Sequence, residues 1–179
     1  SSAALALEFV CYSLLNSFSQ ACTTFVGQNN GAGNLSRCKD VLKVALIEDA
    51  IITVVMTVLV VWQGRTILTL FSSDAEVLDI AYVRVCTLFP AYVFSMVYEN
   101  MSGYLRGFGI SALPSALTAI GVCGTRFFWA LVVFPAHPTF ATVMLAYPVS
   151  FSTTALLMAG ALAYCRPAQQ AMHLSTATS

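Results

Sequence analysis

Tyr92, Ser95, Glu99, Ser102 and Arg106 recur at steps of three and four, which puts them on one face of a helix. Glu8, Tyr12, Asn16, Ser19 and Thr23 repeat the pattern earlier in the chain, with Gln20 beside them. A face of carboxylates, hydroxyls and amides can hold a proton, a small cation or a cationic solute. Both stripes lie within strongly apolar sequence, where a polar group has to face a neighbouring helix or a water-filled path.

The elements that must carry these stripes are five apolar stretches: 3–26, 41–62, 77–105, 114–134 and 140–164. A helix rises about 1.5 Å per residue, so ~20 residues cross a ~30 Å hydrocarbon core. The chain is 58% hydrophobic and 9% charged, against about 25% charged in an ordinary soluble domain. So few charges could not cover the outside of a water-soluble core. The expected fold class is therefore all-α, a polytopic transmembrane bundle of about five spans, in a lipid bilayer. Eight basic residues balance eight acidic ones. There is no basic run able to follow a phosphate backbone, so no nucleic-acid partner is expected.

Between the stretches the sequence supplies its own punctuation. Gly27 to Asn34 is polar and Gly-rich and reads as a turn. Ser73-Asp74-Ala75-Glu76 has capping-box spacing and should start the third helix. Pro90 should kink that helix, and Leu105 to Gly109 should end it. Pro114 fits the first turn of the fourth helix, and Phe134-Pro135-Ala136-His137-Pro138 reads as a tight turn into the fifth. Residues 166–179 form a polar tail. Alternating the loops puts Arg37, Lys39, Lys43, Arg106 and Arg166 on one side and Arg65 alone on the other. That bias places the C-terminus in the cytoplasm. The chain opens inside an apolar stretch without Met, which suggests a longer protein.

Each polar residue has a plainer account beside the functional one. Hydroxyls and tyrosines often serve only as interhelical hydrogen-bond partners. Glu99 either binds a proton, cation or substrate, or sits in a structural ion pair. Glu8 could merely reach the outer interface. Glu48 and Asp49 lie close to the expected cytoplasmic surface, where a paired or solvated face is the simpler account. Arg126 falls about 12 residues, so ~18 Å, into the fourth span and needs a carboxylate or several carbonyls. Glu99 or Asp49 could serve, and the Arg would then lock two helices. Six scattered cysteines without a CxxC pair read as small apolar helix residues. No HExxH, GxSxG, P-loop or Asp-rich motif is present, so no catalytic residue, metal site or cofactor is expected.

Four segments carry a resemblance. Thr24 to Gly33 (TFVGQNNGAG), followed by Arg37, resembles the VGQNxGAG turn of multidrug and toxic compound extrusion (MATE) transporters. Leu105-Arg106-Gly107-Phe108-Gly109 with Pro114 is similar to that family's LRGxG…P loop, and Leu70 to Val77 to its LFTxDxxV segment. Gly124-Thr125-Arg126, Trp129, Phe134-Pro135 and Tyr147-Pro148 resemble the bacterial DinF-like branch. The resemblance implies a twelve-helix antiporter of two six-helix lobes, of which this chain is a partial second lobe. Its partners would be the first lobe of the same chain and an organic cation or drug-like substrate. Export would be driven by H⁺ or Na⁺, the ion being unassigned, across the cell membrane. Glu99, Glu8, Asn16, Gln20, Tyr92 and Ser95 would then bind ion or substrate. Arg126, Arg106, Gly107, Gly27, Gly31, Gly33 and Pro90 would be structural or gating, the end glycines letting helices rock. A lipid-linked saccharide flippase of the wider superfamily, or a non-transporting membrane scaffold or enzyme, are the alternatives.

Overall fold

A computed structural model describes residues 2–69, 75–136 and 138–165. The described residues form five long helices: α1 Ser2–Gly31, α2 Leu35–Thr69, α3 Ala75–Gly107, α4 Ala112–Ala136 and α5 Phe140–Cys165. Helices α2 to α5 each contain a stretch long and apolar enough to cross a membrane. α1 is long enough, at 30 residues, but Glu8, Asn16 and Gln20 together with its serines dilute it below that apolarity. The expected five spans are thus four clear ones and a polar fifth.

Three boundaries differ from the sequence expectation. α1 does not stop at Val26; it continues to Gly31, so most of the Gly-rich segment is helical. The Asn29 side-chain amide donates to the Phe25 carbonyl at 2.8 Å on the way. α2 is one 35-residue helix, about 52 Å of rise, and it starts well before residue 41. α4 runs through Phe134 and Pro135 to Ala136. Ser73, Asp74, His137 and the tail lie outside the described residues.

Two of the turns share one construction. Gly33 and Gly109 have φ of 75° and 82°, the left-handed region open to glycine. Asn34 N–H donates to Asn29 O at 2.8 Å and Gly33 N–H to Asn30 O at 3.1 Å. Ile110 N–H donates to Leu105 O at 3.1 Å and Gly109 N–H to Arg106 O at 2.9 Å. Both are Schellman caps, which satisfy carbonyls that a helix end leaves unpaired. A Cβ strains the left-handed residue, so Gly109→Ala should lower stability by about 1 kcal/mol. A thermal melt of the detergent-solubilised protein checks it, and an unchanged melting temperature would refute it.

α3 is the hub, packing against α1, α2 and α5, while α1 also packs on α2. α4 leans on α5 and touches α3 near its start. The α1–α2 turn and the α3–α4 turn lie at one end, where a Cβ on Gly27 would touch the Gly107 carbonyl. Leu162, near the end of α5, packs there too, against the cluster of Cys22, Val26, Cys38, Ala45 and Tyr104. Pro90 is exposed, and α3 continues through it. α4 carries two π-helical turns, Ala119–Gly124 and Trp129–Val133, which nothing in the sequence announced. Large apolar residues such as Phe9, Trp62, Phe127, Leu131 and Leu156 point outward, whereas Asp49, Asn100 and Thr154 are fully buried. Apolar outside and polar inside is the pattern of a bundle solvated by lipid.

The α1–α3 crossing is a close one. A Cβ built on Gly103 would lie 2.5 Å from Ser19 O, and one on Gly107 would lie 2.6 Å from the Val26 side chain. Glycines four apart let two membrane helices approach at backbone distance. Gly107 is therefore packed closely against α1 at this crossing. Gly31, which has open space around it, stays helical.

Candidate functional site

The close approach of α1 and α3 brings the two polar stripes face to face. Tyr12 donates to Glu99 Oε1 at 2.7 Å. Ser19 donates to the Glu99 carbonyl at 2.7 Å, and Arg106 donates to Ser19 Oγ at 2.9 Å. Thr23 donates to Gly103 O at 3.1 Å. Among the described residues no Lys or Arg pairs with Glu99. Of its two sequence readings, the ion pair is not found.

Glu8 does not reach out to an interface. Arg84 of α3 grips it through two parallel bonds, Nε to Oε1 at 2.7 Å and Nη2 to Oε2 at 2.9 Å. Both side chains are largely buried, at 15% and 11% exposed, and the fork geometry suits a desolvated pair. Glu8 is neutralised where it stands.

Beside this pair lies a cavity of about 230 Å³ walled by α1, α3, α4 and α5. Its lining includes Glu8, Tyr12, Tyr92, Tyr98, Arg126 and Tyr147. Tyr92 is the centre of an aromatic cluster, 5.2 Å from Phe89, 6.1 Å from Phe151 and 6.5 Å from Tyr12, centroid to centroid. Ser95 is buried behind it and bonds to the Tyr98 hydroxyl at 3.3 Å. Glu99 is not on the lining; it is joined to the cavity through Tyr12.

Arg126 corrects an expectation. Neither Glu99 nor Asp49 pairs with it among the described residues. Its guanidinium stacks over Tyr147, 4.3 Å from the ring centre, and its Nε reaches Ser150 Oγ at 3.3 Å. It does lock two helices, α4 to α5, but with a π face in place of a carboxylate.

Asn16 and Gln20 stay on α1. Gln20 is exposed and donates only weakly to Asn16 Oδ1, at 3.4 Å, so neither is drawn to the cavity by a hydrogen bond. Glu48 is exposed and lines an open groove between α1 and α2 with Arg37 and Asp40. Asp49, expected near the same surface, is fully buried instead. Arg84, Asn100, Tyr98 and Gly103 were missed by sequence reasoning, and Tyr147 entered only through its motif with Pro148. For Gly103 the four-residue spacing to Gly107 was a usable signal.

The MatE family profile matches residues 1–132. The chain belongs to the MatE family. It is 27% identical over 108 residues to "Probable multidrug resistance protein NorM" of Thermotoga maritima, covering 60% of this chain and 23% of that protein. It is 26% identical over 143 residues to "Probable multidrug resistance protein YoeA" of Bacillus subtilis, covering 78% and 30%. "Multidrug and toxin extrusion protein 1" of Mus musculus is 27% identical over 119 residues, covering 64% and 20%. The crystal structure of the eukaryotic MATE transporter AtDTX14 superposes with a TM-score of 0.76 at 21% identity, over 95% of this chain and 39% of that one. That likeness is one of fold. The chain thus spans between 20% and 30% of the length of these curated relatives. MatE proteins are multi-pass membrane transporters, which agrees with the apolar outer face and four clear spans. The relatives come from bacteria and a mammal and do not single out one branch.

Proposed function

We propose that this chain forms part of a secondary active antiporter in the cell membrane. It exports cationic or amphipathic organic compounds in exchange for H⁺ or Na⁺ by alternating access, with its C-terminus in the cytoplasm. The observation that carries this is the aromatic cavity with Glu99 tied to its wall through Tyr12. Aromatic faces and an unneutralised carboxylate are the chemistry that attracts an organic cation. About 230 Å³ is below the roughly 300–1,000 Å³ of a drug-sized site, so this lobe would supply one wall of a shared cleft. A saccharide flippase would need a more basic cavity. Arg84 is already spent on Glu8, and the Arg126 guanidinium sits over the Tyr147 ring.

Glu99→Gln keeps the shape and the Tyr12 contact but removes the charge. In the intact protein it should cut substrate/ion exchange by about tenfold or more, the scale of a charge-assisted contact worth ~1.5–3 kcal/mol. Uptake of a fluorescent organic cation into proteoliposomes under a proton or sodium gradient reads this directly. Undiminished exchange at equal expression would leave Glu99 a packing residue.

A further inference from the structure

A second polar centre lies between α2 and α3, away from the cavity. Asp49 is 0% exposed, Asn100 0% and Thr53 1%. Asn100 Nδ2 donates to Asp49 Oδ2 at 2.5 Å and to Met96 O at 3.0 Å. Thr53 lies one turn on from Asp49, on the same face of α2, and is buried with it. Three oxygens here lack a hydrogen-bond partner: Asp49 Oδ1, Thr53 Oγ1 and Asn100 Oδ1. Among the described residues, the groups that act on Asp49 carry no positive charge. Glu99 acts on Asp49 from α3, and Cys22 of α1 touches the Asn100 carbonyl. Glu48, the neighbour on α2, is exposed.

Donor counting narrows what the site holds. An ionised Asp49 and the Asn100 oxygen are both acceptors only. The Thr53 hydroxyl has one hydrogen and can serve just one of them. A buried carboxylate with one amide donor and no cation is also strongly disfavoured. One added proton resolves all three atoms. Carried on Asp49 Oδ1, it can be given to Thr53 Oγ1, whose own hydrogen is then free for Asn100 Oδ1. The hydrogen of Tyr12, by contrast, goes to Glu99 and is not available to this site.

We infer that Asp49, Thr53 and Asn100 form a buried proton-binding site in which Asp49 is a neutral carboxylic acid, taking its proton from solvent. Glu99 and Asn100 are consecutive, so α3 links this site to the cavity: one residue faces Tyr12 and the next faces Asp49. The inference deepens the antiporter proposal by giving it a proton site, yet its test needs no transport.

Infrared difference spectra of the intact protein in lipid should show a protonated-carboxyl C=O band at neutral pH. That band should vanish in Asp49→Asn and persist in Glu99→Gln. In Thr53→Val it should move to higher frequency, since the acid loses its acceptor. If Asp49→Asn does not fold, the Thr53→Val shift alone decides. A band unaltered in Asp49→Asn or unshifted in Thr53→Val, or none at neutral pH, overturns the proposal. So does a band that appears only when Na⁺ is withdrawn, which would make Na⁺ the occupant. Failed exchange with the band intact would refute the antiporter proposal and leave this one standing.

Discussion

Arg84→Ala should destabilise the protein by about 3–5 kcal/mol, because it leaves the Glu8 carboxylate buried without a partner. The pair joins residues 76 apart in sequence, and both are mostly shielded from solvent. The worth of such a pair is asymmetric. Removing both charges is far less harmful than removing one, since no orphan charge remains. Glu8→Gln/Arg84→Met should therefore recover most of the loss of the single variant. Thermal or denaturant unfolding of the solubilised protein, run as a double-mutant cycle, measures the coupling. Additive losses, with no recovery in the double variant, would mean the two side chains act independently. Such a result would also remove the reason for assigning Glu8 a structural role.

Gly103→Leu should be comparably damaging by a different route. Its Cβ alone would sit 2.5 Å from Ser19 O and 2.9 Å from Ser19 Oγ, backbone and side chain of the facing helix. Overpacking of this kind costs about 1–3 kcal/mol and sometimes more. Here the helices must also separate, which releases the Ser19–Glu99, Arg106–Ser19 and Thr23–Gly103 bonds together. The expected result is a loss of about 3 kcal/mol together with loss of exchange. Gly124→Leu is the control: its Cβ meets only Ile120 Cγ2, at 3.9 Å. If both variants melt alike, the close α1–α3 crossing is not what holds the lobe together.

The sequence was most legible where periodicity alone decides the outcome. The steps of three and four put Tyr12, Ser19 and Thr23 on one face of α1 and Glu99 on the matching face of α3, and those faces do meet. The apolar stretches located all five helices, because hydrophobic length is a one-dimensional property of the chain. Helix ends were less legible. Reading the second span from its apolar stretch alone set its expected start at residue 41. With the start at Leu35, Asp49 lies fourteen residues in, about 21 Å of rise, and not near a surface.

By itself, then, the order of residues determined the membrane class, the helix count, the two polar stripes and the resemblance to MATE transporters. These follow from local composition and from spacing within one helix. Only the tertiary structure decided the partners. That Glu8 meets Arg84, that Arg126 rests on Tyr147, and that Asp49 is sealed against Asn100 depends on which helices become neighbours. Small residues such as Gly103 and Gly121, whose Cβ atoms would collide with Ser19 and Thr154, set those neighbours and their distances. A glycine's spacing is visible in a sequence; the atom that fills the room it leaves is not.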